Sequence, residues 1–453
     1  MPDAQSDSLG ISLAEVVPFR GLRFNPVAVP DLPFVIAPPY DIISSAEQLR
    51  YHEKHDLNAI HLDYGIEYKG DDNSENRYTR AAAAFKRWQS DHTLLSDPRP
   101  ALYFCREEFL LGDGSTATRE GFIALIRLAD FSEGIVLPHE ETSSGPKQDR
   151  LQLMQATEAN LSAIYCLYDD PGHQIIATLT EAAPDEPAAR VTDEAGTVHS
   201  LWVVDDPETT ATVSRLFADK TLLIADGHHR YETALAYRDA RRDEAESSDD
   251  MPYDYLMIYL SDLGNTGQSI LPIHRFVSGL SGETIRNLLT SLEKSFKIEE
   301  LSGSANECRQ RMISAMNSSP DDHNILGMYL AASGTYYLLT GSQPRPMISL
   351  ESSSKSAAYR SLDIAVLDQA ILKNILGISP DGPNEGASVR FVERTEEAFS
   401  QINTPGLDVA FFVNPTSMDE IKAVAEAGEK MPQKSTYFYP KPVTGLVFRS
   451  FSV

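Results

Sequence analysis

The stretch Thr221-Leu-Leu-Ile-Ala-Asp-Gly-His-His-Arg-Tyr-Glu-Thr-Ala-Leu-Ala-Tyr237 reads as an apolar strand, a turn and a helix start in direct succession. Leu222 to Ala225 form a short continuous apolar run, which suits a strand buried on both faces. Asp226-Gly227 stops it. Beyond the turn, Tyr231, Ala234, Leu235 and Arg238 recur at helical spacing, and good helix formers continue to about Glu244. His228, His229 and Arg230 are therefore expected at a helix N-terminus. Unpaired backbone N–H groups and the positive end of the helix dipole attract anions there, and an arginine fork adds bidentate phosphate or carboxylate binding. The expected role is an anion-handling turn; the plainer alternative is a capped helix whose histidines fill space.

Three other stretches are dense in chemistry. In Val35-Ile-Ala-Pro-Pro-Tyr-Asp-Ile-Ile-Ser44, Pro38 and Pro39 hold the backbone extended, so Asp41 is presented on a stiff loop and Ser44 or Ser45 can cap the next helix. Asp41 is either a site carboxylate or another local cap. In Leu137-Pro-His-Glu-Glu-Thr-Ser-Ser-Gly-Pro-Lys-Gln-Asp-Arg-Leu-Gln-Leu-Met154, the groups of His139, Glu140, Glu141, Thr142, Lys147, Asp149 and Arg150 crowd a loop and the helix that Pro146 can open. A surface salt-bridge patch is the alternative. The last is Met431-Pro-Gln-Lys-Ser-Thr-Tyr-Phe-Tyr-Pro-Lys-Pro-Val-Thr-Gly445, where Lys434, Ser435, Thr436 and Lys441 put positive charge and hydroxyls on a proline-bounded loop suited to phosphate. His274-Arg275 is a second histidine-arginine pair, which adjacent strands would bring near His228 and Arg230.

The remaining pattern predicts α/β architecture with mixed sheets. Ala101–Leu111 and Glu120–Leu128 read as a hairpin across Gly-Asp-Gly-Ser-Thr, residues 74–90 as an alanine-rich helix, and Ala163–Tyr168, Leu201–Val204, Tyr255–Leu260 and Gln268–Val277 as strands. A helix from Leu362 to Leu376 is expected, capped by Ser361 and ended by Gly377, and Leu407–Val413 reads as a strand returning to the sheet. Ser417 and Glu420 form a capping-box signature. The expected organisation is a loose tail over 1–15, a catalytic region over 16–278, an accessory α/β domain over 279–405 and a returning segment over 406–453, in keeping with two or three domains for 453 residues.

A net charge of -27 argues against nucleic-acid and anionic-membrane partners, which call for a basic face. No run reaches the length of a membrane span and no signal peptide is evident, so a cytoplasmic location is expected. Cys105, Cys166 and Cys308 lack CxxC spacing and are expected as free thiols. There is neither a Walker A loop nor a GxGxxG after a strand.

Taken together, Ala37–Ser44, Leu137–Thr142 with Lys147–Leu151, Ala225–Ala234 and Met431–Lys441 resemble, in order and along nearly the whole chain, the domain-of-unknown-function family 1015. That family name carries no activity. The Asp226-Gly-His-His-Arg230 turn is more distantly similar to the Asp/Gly-x-His/Arg-Arg turn of the ParB/sulfiredoxin superfamily, which includes free-serine kinases. Sulfiredoxin-like chemistry needs a cysteine where His228 stands, and DNA partitioning needs a basic module, which leaves small-molecule phosphotransfer. The resemblance implies a ParB/sulfiredoxin-like core that phosphorylates free L-serine or a similar metabolite from ATP, ADP or pyrophosphate. The implied catalytic residues are Asp226, His228, His229, Arg230 and Glu140, with Asp226 or Glu140 as base. Asp41 would hold magnesium. Binding roles fall to Tyr40, His139, Thr142, Lys147, Asp149, Arg150, Gly227, His274, Arg275, Lys434, Ser435, Thr436 and Lys441. A non-catalytic nucleotide switch and a metal-dependent hydrolase are the competing classes.

Overall fold

The computed structural model describes residues 14–111, 114–142, 144–244, 249–264, 267, 269–318, 323–342, 355–379 and 386–452. Most of the expected tail, the first residues of the hairpin turn, part of the acidic run 241–250 and Gln268 lie outside the described residues. The chain forms two compact units. One takes in the described residues up to Pro138, from Thr142 to 267 and from Pro440 on; the other takes in His139–Glu141 and Ser269–Tyr439.

The first unit is built on a mixed sheet in the order Val136–Leu137, Leu222–Asp226, Ile164–Tyr168, Tyr255–Asp262, Thr116–Arg127, Leu102–Leu110, Val198–Val204 and Ala189–Thr192, with Val16–Val17 paired onto Thr116–Arg127. Its hairpin pairs antiparallel, Glu107 opposite Arg119. Leu222–Asp226 is buried along its length, parallel to Val136–Leu137 and antiparallel to Ile164–Tyr168, as its unbroken apolar run requires. One core joins the sheet residues Phe104, Phe122, Ile126, Ile164, Ile224 and Leu260 to Ile175, Leu179, Val213 and Tyr231 of the helices Gln174–Ala182, Pro207–Leu216 and His228–Glu244. A second core lies under the helix Arg77–Ser90, whose Ala81, Phe85 and Trp88 are buried with Phe24, Leu62 and Phe448. Ser44 caps the helix Ser45–Lys54 in a reciprocal box with Glu47. Cys105, Cys166 and Cys308 are free and buried. No helix among the described residues is long and apolar enough to cross a membrane.

The second unit carries an antiparallel sheet in the order Phe296–Leu301, Thr335–Gly341, Ile325–Leu330, Leu407–Phe412, Ile273–Ser278 and Ser388–Glu393. Phe276, Met312, Ala410 and Phe412 lie in its core. Leu407–Phe412 pairs in this sheet, with Ile325–Leu330 and Ile273–Ser278. Ser417 and Glu420 make the expected capping box. The helix expected over 362–376 runs from Asp363 to Lys373, starting one residue later than expected. Leu362 is extended, so Ser361 closes the turn Ala357–Ser361, which Ser356 caps, and the next helix begins at Asp363. From Leu367 to Lys373 it widens into a π-helical turn that buries Leu367, Ile371 and Leu372. Gly377 does supply a left-handed position after the end, at φ 69°.

Candidate functional site

In the first unit the chain leaves the Leu222–Asp226 strand through Gly227, whose φ of 95° favours glycine, and a Cβ there would come 2.7 Å from Ile164 Cγ2. The helix begins at once, at His228, with His228 and Arg230 buried and His229 partly exposed. Arg230 folds back over the turn. Its guanidinium donates to Asp226 Oδ2 at 2.7 Å, to Ser162 Oγ at 3.0 Å and to the Ala163 carbonyl at 2.9 Å. Lys441 Nζ donates to the other oxygen of Asp226, so that carboxylate lies between two cations.

A row of alternating charges adjoins this turn. Arg150 NH1 lies 3.1 Å from Asp63 Oδ1, Arg150 NH2 lies 2.6 Å from Asp149, and Arg77 donates to the far oxygen of Asp149 at 2.6 Å. The Tyr40 ring covers the Arg150 guanidinium at 3.8 Å. Burial works against the charge on Arg150 and Arg230, but the carboxylates Asp63 and Asp149 for the first, and Asp226, Asp41 and Asp63 for the second, outweigh it, and both stay cationic. Burial likewise pushes the Asp149 carboxyl up, yet Arg150, Tyr78 and Arg77 together bring it below its ordinary value. Asp63 goes the other way, since full burial raises it despite Arg150 and Arg230. Arg230 Nε and Asp63 Oδ2 are buried with no hydrogen-bond partner among the described residues. Both residues line a cavity of about 40 Å³, together with Arg150, Ser162 and Thr233, which is room for one small polar group. Thr142 and Lys147 converge on Glu232, at 2.6 and 2.9 Å.

Asp63 and Glu232 carried no signal in the sequence. Arg119 carried none either, since the expected strand began at Glu120; it lies buried on the strand Thr116–Arg127, opposite Glu107. Its guanidinium sits 4.8 and 5.1 Å from the rings of Tyr165 and Tyr259, pairs with Glu107 at 3.2 Å and donates to the Pro440 carbonyl at 2.5 Å. Pro440 is the residue before Lys441, so Arg119 fixes the backbone from which Lys441 reaches Asp226.

The other expected residues belong to the second unit. Glu140 accepts from the backbone N–H groups of Lys434, Ser435 and Thr436 at 3.2, 3.1 and 3.1 Å, and from the Thr436 hydroxyl at 3.0 Å. Lys434 takes a left-handed φ of 56°, which turns successive N–H groups onto one point, an anion-binding nest with a carboxylate of the same chain in it. Arg275, fully buried, braces the loop through the Lys434 and Gln433 carbonyls at 2.9 and 3.2 Å. His139 Nε2 lies 2.8 Å from Thr436 Oγ1. His274 accepts from Val413 N and faces Thr395 Oγ1 at 3.1 Å; burial and the Arg275 charge push it down to about 3, so it is a neutral structural group. The strand of His274 and Arg275 pairs with Leu407–Phe412 and Ser388–Glu393, so strand adjacency does not carry these two residues to Leu222–Asp226, contrary to expectation. Among the described residues no three His, Cys, Asp or Glu side chains gather so as to hold a metal ion.

The model of a family described as protein of unknown function, DUF1015, matches residues 16–365. The chain belongs to this family. The Met431–Lys441 motif lies beyond the matched span. No curated protein matches the chain. Solved structures similar to this DUF1015 chain include a conserved hypothetical protein from Pyrococcus furiosus, 11% identical, covering 70% of this chain and 93% of its own with a TM-score of 0.34. A mutant free serine kinase in complex with ADP is 12% identical, with 67% and 84% covered and a TM-score of 0.34. SbnI with C-terminal truncation from Staphylococcus aureus is 12% identical, with 71% and 85% covered, again at 0.34.

Proposed function

We propose that this DUF1015 protein is a small-molecule phosphotransferase, moving a phosphoryl group from ATP, ADP or pyrophosphate to the hydroxyl of free L-serine or a similar metabolite. The observation that carries this reading is Arg230, a buried guanidinium at a helix start that lines a small cavity with Asp63 and Arg150 and shares Asp226 with Lys441. Such a group neutralises charge on a transferring phosphoryl in a site from which water is excluded. The choice of serine rests on the resemblance of the Asp226–Arg230 turn to that of free-serine kinases.

In this proposal Arg230 and Lys441 carry the phosphoryl oxygens, and Asp226 accepts the hydrogen bond of the acceptor hydroxyl and orients it. The new bond forms between that oxygen and phosphorus as the bond from phosphorus to the donor's leaving oxygen breaks, and the hydroxyl proton passes to Asp226. Asp41, whose side chain makes no hydrogen bond among the described residues, would hold magnesium. A single carboxylate beside phosphate oxygens fits that ion, which neutralises donor phosphates when bound. The setting proposed is reducing and cytoplasmic, in keeping with three unpaired thiols.

A second reading is favoured by one observation. Both candidate bases are engaged, Asp226 by two cations and Glu140 by four donors, and a carboxylate so held is a weak proton acceptor. That observation favours the alternative class, a nucleotide-binding switch. Phosphorus NMR of the protein with magnesium, L-serine and in turn ATP, ADP or pyrophosphate separates the two. The phosphotransferase gives phosphoserine, with Asp226→Asn and Arg230→Ala each lowering turnover by a factor of about 100 or more. Nucleotide binding with no phosphoserine from any donor establishes the switch instead.

A further inference from the structure

A cleft of about 340 Å³ opens on the first unit beside the helix Arg77–Ser90, within the size range of small-ligand sites. Arg77, Arg80, Ala84 and Arg87 recur at helical spacing along its wall, which puts three guanidiniums on one helix face of a chain whose net charge is -27. Two of them are committed. Arg80 is held bidentate by Asp71, at 2.7 and 2.8 Å, and Arg77 is held by Asp149 at 2.6 Å. Arg87 is exposed and makes no salt bridge or side-chain hydrogen bond among the described residues; Asp56 lines the cleft as well, without an ion pair to it.

The rest of the wall is aromatic and apolar. Tyr68 is 56% exposed, with the Arg80 guanidinium 4.7 Å from its ring centroid. His52 and His61 pack edge to face with centroids 4.3 Å apart, their Nε2 atoms at 3.1 and 3.2 Å from the carbonyls of Tyr64 and His55. Burial lowers both, so at neutral pH they are uncharged rings. Ile66, Ala83 and Ala84 complete the surface.

We propose that this cleft binds a phosphorylated aromatic small molecule of nucleoside monophosphate size. The phosphate lies on Arg87 and the remaining donors of Arg77, and the ring system packs against Tyr68. An arginine fork matches phosphate geometry, and an aromatic ring on a fixed guanidinium is a platform for a second aromatic ring. In an acidic protein, one guanidinium with no ion pair among the described residues is where a dianion meets least repulsion. The cleft meets the charge row beside the Asp226 turn through Arg77, whereas Arg87 and Tyr68 have no part in that row.

The test uses the full chain with AMP and with inorganic phosphate as probes. Calorimetry is expected to give AMP binding that weakens about tenfold or more in Arg87→Glu and about threefold or more in Tyr68→Ala. Phosphate alone binds more weakly, loses affinity in Arg87→Glu and is indifferent to Tyr68→Ala. Arg87 and Tyr68 are exposed, so both variants fold. Light-activated 8-azido-AMP is expected to label the peptide containing Tyr68 in the wild type and equally in Arg230→Ala, with excess AMP blocking the label. An Arg87→Glu variant with wild-type affinity, or label that appears elsewhere and disappears in Arg230→Ala, overturns the assignment and leaves the Asp226 turn as the nucleotide site.

Discussion

Asp226 shares its two oxygens between Lys441 and Arg230, and the chain turns directly after it at Gly227. At φ 95°, and with Ile164 Cγ2 only 2.7 Å from where a Cβ would stand, no side chain is accommodated. Gly227→Ala is expected to cost about 1–3 kcal/mol, read as a lowered denaturant midpoint with unchanged slope. His274 makes a residue-scale prediction of a different kind. Its folded value is about 3 against an ordinary 6.5, so the unfolded chain takes up the proton first as pH falls. Stability is therefore full above pH 6.5 and falls progressively between 6.5 and 3. Between pH 7 and 5 this group alone removes about 2 kcal/mol. Unfolding curves of His274→Gln, which keeps a polar side chain but has no proton to gain, should fall less over that interval; equal slopes would exclude His274 as the source.

At the scale of elements, the hairpin Leu102–Leu110 and Thr116–Arg127 does more than close the sheet, because it buries the Glu107–Arg119 pair beneath the Pro440 backbone. Arg119→Met leaves Glu107 buried without its cation and is expected to cost about 3–5 kcal/mol, whereas the double variant with Glu107→Met recovers most of that loss, since a dry pair exchanged whole is close to neutral. Thermal denaturation of the two variants measures this. The strand-turn-helix at Asp226, the cap at Ser44, the capping box at Ser417 and the hairpin were legible because each is written in adjacent residues. The pairings of Asp63 with Arg150 and of Glu232 with Lys147 were not, because the partners lie 87 and 85 positions apart and nothing local marks them. The helix expected over 362–376 was legible in its extent but not in its detail: Leu362 is extended and takes the N-cap position in place of Ser361, and the helix widens to bury Ile371 and Leu372.

For the molecule as a whole, the three cysteines report on integrity. All are buried, so a thiol reagent such as DTNB should find none in the native protein and three after denaturation, and a fast native reaction would mean that a core opens locally. The anion nest of the second unit has a consequence in time. Its backbone donors close on a carboxylate that precedes them by 294 to 296 positions, so the loop Lys434–Thr436 takes its shape only after one of the longest closures the chain makes. A closure of that span orders more chain than a local cap does, so the shape of the loop depends on Glu140, a residue synthesised long before it.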